Sequence, residues 1–132
     1  MKAIKISNYG DAKVLQSTDS EPKPDPSKGQ ALVKIHAAGV NFVDIYQRRG
    51  TYPVKLPFIP GLEASGVVEA VGEAVAEIRP GDRVAYTGHL GSYSEYTVID
   101  AGRLIPLPPS MFTIKSSPIK ARPSPARASL HQ

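Results

Sequence analysis

The chain has 132 residues, 41% of them apolar and none of them cysteine, which allows one domain with a modest core and excludes disulfides and thiolate metal sites. No apolar run approaches the roughly 20 residues of a membrane span and no charged-then-apolar leader opens the chain, so a soluble protein kept in the cytoplasm is expected. The net charge of +4 is confined to the end: residues 1–108 hold 12 Lys/Arg and 12 Asp/Glu, whereas residues 109–132 add four bases and no acid, which argues against nucleic-acid binding by the folded part.

In chain order, residues 1–7 alternate and predict a first strand. Asn8, Tyr9, Gly10 and Asp11 carry turn chemistry, and Val14 and Leu15 begin a second short extended piece. Residues 21–28 read EPKPDPSK; three alternate prolines forbid a helix or a central strand and leave an extended surface connection. Residues 30–38 predict a strand with Leu32 and Lys34 on one face and Val33, Ile35 and Ala37 on the other. At residues 41–49 the period changes: Phe42, Ile45, Tyr46 and Arg49 recur at helical spacing behind Asn41, a favoured N-cap residue, and Gly50 closes one or two turns. Pro53, Pro57 and Pro60 make residues 51–60 a loop.

The central stretch, residues 59–84, reads IPGLEASGVVEAVGEAVAEIRPGDRV. β-Branched residues between Gly and Pro turns argue for buried strands, and Gly66 within one predicts a bulge or a close backbone approach. Residues 86–91 connect, residues 92–99 alternate as another strand, and residues 103–107 form a last extended piece. About seven short strands and one helical segment make the fold mainly β, a small barrel. Residues 109–132 form a basic Pro/Ser-rich tail with too few apolar side chains to offset its ordering entropy, and disorder is expected there.

The motifs PGLEASGVVEAVGEAV and RPGDRV, with GVNFVDIYQRRGTYP upstream, resemble the medium-chain dehydrogenase/reductase superfamily in its zinc-free quinone oxidoreductase branch, the zeta-crystallin type. The resemblance covers roughly residues 1–108 and implies a GroES-like substrate-side domain, incomplete here. It implies NADPH-dependent hydride transfer to a quinone or enone acceptor. No Gly-x-Gly-x-x-Gly segment between a strand and a helix occurs in the 132 residues, so the cofactor-binding half is read as absent and the chain as a truncated form, inactive alone. A departure of reading frame or splicing near Ser110 would account for the tail. A non-catalytic remnant serving as a binding module is the alternative, and no oligomeric state follows.

The resemblance also places site residues. Asn41, Tyr46 and Tyr52 stand where the resembled reductases line the substrate cleft, with Asn41 and Tyr46 as catalytic candidates and Asn41 and Phe42 facing the cofactor. A phenol can donate to a quinone oxygen as charge develops on it, and an amide can orient the ligand. On spacing alone, Asn41 is equally a helix cap and both tyrosines are packing residues. Asp44, Arg49 and Glu63 read as a structural set that fixes a loop by ion pairing, or as an acid/base group. Asn41 and Leu62 occupy the places of the zinc-ligating Cys and His of other members, and neither is an adequate Zn²⁺ ligand, so no metal is expected. His36, His89 and His131 have no ligand spacing.

Overall fold

The structure, a computed structural model, describes residues 1–109 and residue 111. Among them the order is β1 (Ala3–Lys5), a 3₁₀ turn (Ala12–Val14), β2 (Gln16–Thr18), β3 (Gln30–Ala38), α1 (Phe42–Arg49), β4 (Glu63–Val71), β5 (Arg83–Thr87), β6 (Tyr96–Asp100), a second 3₁₀ turn (Ala101–Arg103) and β7 (Ile105–Pro106). The expected disorder of the tail falls almost wholly outside the described residues.

The fold is mainly β with one helix, as the strand count and turn spacing imply. Five strands pair antiparallel in the order β6-β3-β4-β5-β7, and β1 pairs separately with β2. Isolated bridges, Ala3 to Ser94 and Ile6 to Phe58, lie beside the two ladders, and among the described residues no pairing joins the outer strands β6 and β7.

β3 and β4 form the middle of the sheet, and their β-branched side chains supply the core. Val33, Val68, Val84 and Ile99 are almost completely buried, each stabilising the fold by about 1.5–3 kcal/mol. Tyr86, Ile78 and Leu104 complete the same cluster. At the start of β3, Ala31, Leu32 and Val33 are all buried. Ala31 and Val33 enter the main core cluster and Leu32 does not, so the strand is covered on both faces here; the register shift between Leu32 and Val33 leaves Glu69 of β4 as the extra residue. A second irregularity lies between Ile35 and Ala37, opposite Gly66 and Ser65. There the backbones crowd: a Cβ on Gly66 would sit 2.0 Å from the Lys34 carbonyl oxygen. Of the two alternatives read for Gly66, the close approach is present, and the neighbouring irregularity has its extra residue, His36, in β3.

Three short segments differ from their sequence reading. Val14 lies in a 3₁₀ turn capped by Asp11, whose Oδ1 accepts from Lys13 N–H at 2.9 Å, and pairing starts only at Gln16. Residues 92–95 do not join β6, because their polar groups are used elsewhere. Tyr93 N–H donates to the Pro60 carbonyl at 3.0 Å, and Ser94 Oγ lies 2.8 Å from both Gly91 O and Tyr96 O. Arg103 ends a 3₁₀ turn, so the final strand is two residues long.

Candidate functional site

α1 carries most of the candidates, and its ends explain its placement. Asn41 is the N-cap with extended backbone, and Gly50 closes the helix at φ 81°, a conformation that favours glycine. Asn41 N–H donates to Asp44 Oδ2 at 2.9 Å, while Asp44 N–H donates to the Asn41 carbonyl at 3.1 Å. Asp44 is 7% exposed, and the same Oδ2 accepts the Tyr93 hydroxyl at 2.6 Å. Burial pushes the Tyr93 phenol well above its ordinary pKa, and the neighbouring Asp44 carboxylate pushes it further.

At the other end of α1, Arg48 Nε donates to the Gly10 carbonyl at 3.2 Å, and Gly10 N–H donates to the Arg48 carbonyl at 3.1 Å. The base that docks the helix is therefore Arg48. Arg49 is exposed, and the ion pairs among the described residues are Lys5–Glu21 and Lys23–Glu69. Asp44, Arg49 and Glu63 thus do not form the ion-paired set read from the sequence. Asp44 Oδ2 accepts from a phenol and a backbone amide, while its buried Oδ1 has no partner among the described residues; Glu63 lies with its carboxylate over Gly39, where a Cβ would meet Oε1 at 2.0 Å. The Glu63 carbonyl also accepts from Gly39 N–H at 3.0 Å, which joins the start of β4 to the end of β3.

The remaining candidates stay on the outside. Phe42 is 80% exposed, Tyr46 42% and Tyr52 55%. Phe42 and Tyr46 are four residues apart and share one helix face. Tyr52 continues the row: its ring stands edge-on to Tyr46 with centroids 5.3 Å apart. Among the described residues neither the Tyr46 nor the Tyr52 hydroxyl has a hydrogen-bond partner, so both are available as donors. The structure therefore brings Phe42, Tyr46 and Tyr52 to one exposed aromatic surface with exposed Arg49 on the same helix face, while half-buried Asn41 caps the start of that helix and Glu63 lies apart at the start of β4.

Hollows also lie among other described residues. One of about 380 Å³ is bordered by Gly39, Glu63, Ser65 and Tyr86, and one of about 400 Å³ by Lys5, Glu21, Phe58 and Leu90. Tyr86 is buried, and its hydroxyl has no partner among the described residues. Burial pushes that phenol up to about 12, with Thr97 acting in the opposite sense. His89 stands edge-on to Tyr86, its Nε2 2.9 Å from the Val98 carbonyl oxygen. Among the described residues no group of three or more His, Asp or Glu is placed to hold a metal, and no helix is long and apolar enough to cross a membrane.

Sequence reasoning assigned no role to Tyr93 or Arg48. Tyr93 sits in a run read as strand alternation, and its partner Asp44 is 49 residues away, so nothing local marks the pair. For Arg48 the helical period favoured its neighbour Arg49.

Residues 27–109 match the alcohol dehydrogenase GroES-like domain family. The chain is 45% identical over 101 residues to a quinone oxidoreductase of Lama guanicoe, covering 74% of this chain and 31% of that protein. A Pseudomonas aeruginosa quinone oxidoreductase is 44% identical over 109 residues, 81% of this chain and 33% of that one. The structure of Escherichia coli quinone oxidoreductase complexed with NADPH is similar at a TM-score of 0.78 and 39% identity, covering 82% of this chain and 33% of that one. The chain thus spans about a third of the length of the curated relatives it matches.

Proposed function

The chain belongs to the quinone oxidoreductase branch of the medium-chain dehydrogenase/reductase superfamily, through its alcohol dehydrogenase GroES-like domain, and from that premise we propose that it forms the substrate side of an NADPH-dependent quinone oxidoreductase. The observation that carries the reading is the row Phe42, Tyr46 and Tyr52, an exposed aromatic surface with uncommitted phenols beside a helix whose Asn41 end is closed by Asp44.

The residues present fit one end of the cofactor. Exposed Phe42 and its neighbours offer a flat apolar surface to a nicotinamide ring, whereas the 132 residues contain no glycine-rich turn to cradle its phosphates. NADPH supplies, when bound, the hydride that with a solvent proton reduces a quinone to its hydroquinone. The part of this chain is to orient and polarise: Tyr46 donates a hydrogen bond to the acceptor oxygen as negative charge grows on it, with Tyr52 packed against its ring. Asn41 orients the acceptor or the nicotinamide. With Asn41 and Leu62 at the ligand places of zinc-dependent members, this chemistry runs without a metal Lewis acid.

By the same reading residues 1–108 are the substrate-side domain, and the 132 residues alone do not turn over. A second reading is a non-catalytic binding module that presents the exposed Phe42, Tyr46 and Tyr52 surface to a partner. Loss of reduced-nicotinamide absorbance with duroquinone separates them. The chain joined to the nucleotide-binding domain of a quinone oxidoreductase should consume NADPH, and the chain alone should not. No turnover by the joined protein would refute the oxidoreductase reading; turnover by the chain alone would refute its dependence on a second domain.

A further inference from the structure

The Tyr93 ring is fixed from several sides before its hydroxyl reaches Asp44. Its N–H donates to the Pro60 carbonyl at 3.0 Å, and its carbonyl accepts from Ile4 N–H at 2.8 Å. Against the ring lies Gly61, so close that a Cβ there would fall 2.5 Å from Tyr93 Cδ1. From this position the hydroxyl donates to Asp44 Oδ2 at 2.6 Å, and that one oxygen also accepts Asn41 N–H at 2.9 Å. Hydrogen bonds to a carboxylate are stronger than neutral ones, and Asp44 is buried enough to keep water from replacing either donor.

We propose that Tyr93 is a positioning residue for the substrate-side site: acting through Asp44, it holds Asn41 and the first turn of α1, and with them the Phe42–Tyr46 face, at a fixed angle to the sheet. What is being positioned rests on the quinone oxidoreductase reading above; the link itself does not. Packing alone would account for the Tyr93 ring but not for its hydroxyl sharing an acceptor oxygen with the N-cap of the helix. Burial keeps the phenol protonated through the ordinary pH range, so the link does not titrate away.

The test is amide hydrogen exchange on the whole 132-residue chain, wild type against Tyr93→Phe, which removes one hydroxyl and almost no volume. Protection of the Asn41 amide should fall about tenfold, as expected for loss of a charge-assisted hydrogen bond next to it, while Val33 and Val68 in the core stay within about twofold. Unchanged protection at Asn41, or an equal fall at all three amides, would overturn the proposal. Should Tyr93→Phe not fold, Asp44→Asn reads the link from its other end. It removes the charge from the shared acceptor, and undiminished protection at Asn41 overturns the proposal equally. Neither NADPH nor quinone enters this measurement, so a failed turnover assay with Asn41 behaving as expected sinks the oxidoreductase reading alone.

Discussion

Replacing Gly61 with alanine should damage the fold well beyond the usual effect of such a change, and a second glycine shows why. Gly61 has φ 95° and Gly81 has φ 94°, so an alanine at either place meets nearly the same backbone strain, about 1–2 kcal/mol. Around Gly81 a new Cβ would find nothing within 4 Å, whereas at Gly61 it would lie 2.1 Å from Ser92 Oγ and 2.5 Å from Tyr93 Cδ1. Ser92 is 1% exposed and has no room to retreat. Tyr93 must therefore shift by about an ångström, and its hydrogen bond to Asp44, worth about 1.5–3 kcal/mol as a bond to a charged group, is lost. Gly61→Ala should cost about 3–5 kcal/mol, a large share of the roughly 5–15 kcal/mol that holds a small domain folded, and Gly81→Ala about 1 kcal/mol. Urea unfolding followed by circular dichroism measures both. Equal losses in the two variants would refute the argument, since the difference between them isolates the contact with Ser92 and Tyr93.

Gly66→Ala should destabilise by at least about 3 kcal/mol in the same unfolding assay, because the obstructing atom is the Lys34 carbonyl of a paired strand and cannot rotate away. Gly102→Ala, with nothing within 4 Å, should stay within about 0.5 kcal/mol. Tyr46→Phe in the joined enzyme should leave stability within about 0.5 kcal/mol and lower quinone turnover by about one to two orders of magnitude, measured by unfolding and steady-state rates on one preparation. Tyr86 ionises near pH 10 when unfolded but only at about 12 when folded, so the unfolded state sheds its proton first. Its contribution is complete below about pH 10 and lost as pH rises from about 10 to 12; Tyr86→Phe should flatten that alkaline fall in unfolding curves.

What could be read in the sequence was what is encoded locally. α1 announced itself by a change of period between Asn41 and Gly50, two residues whose chemistry suits the two ends of a helix. Gly66 announced a crowded bulge because a glycine within a β-branched run has few other uses. The connection of residues 21–28 followed from proline alone. The remainder depended on distant partners. Val14 looked extended like Leu15, but a single Asp11 side-chain bond accompanies a three-residue 3₁₀ turn that ends at Val14 and has no period to detect. Asp44 was read beside Arg49 and Glu63, but the phenol that donates to it arrives from the loop before β6, 49 residues along the chain. Strand order was equally invisible: seven strands with short turns do not say which neighbour each pairs with.

The claim that acceptors are held by the α1 surface is tested most directly by titrating duroquinone into the isotope-labelled chain and following every assigned resonance. The account predicts shifts concentrated at Asn41, Phe42, Tyr46 and Tyr52, with Ser65 and Tyr86 in the separate hollow unmoved. Shifts confined to Ser65 and Tyr86, or no shifts at any concentration the quinone can reach, would contradict it.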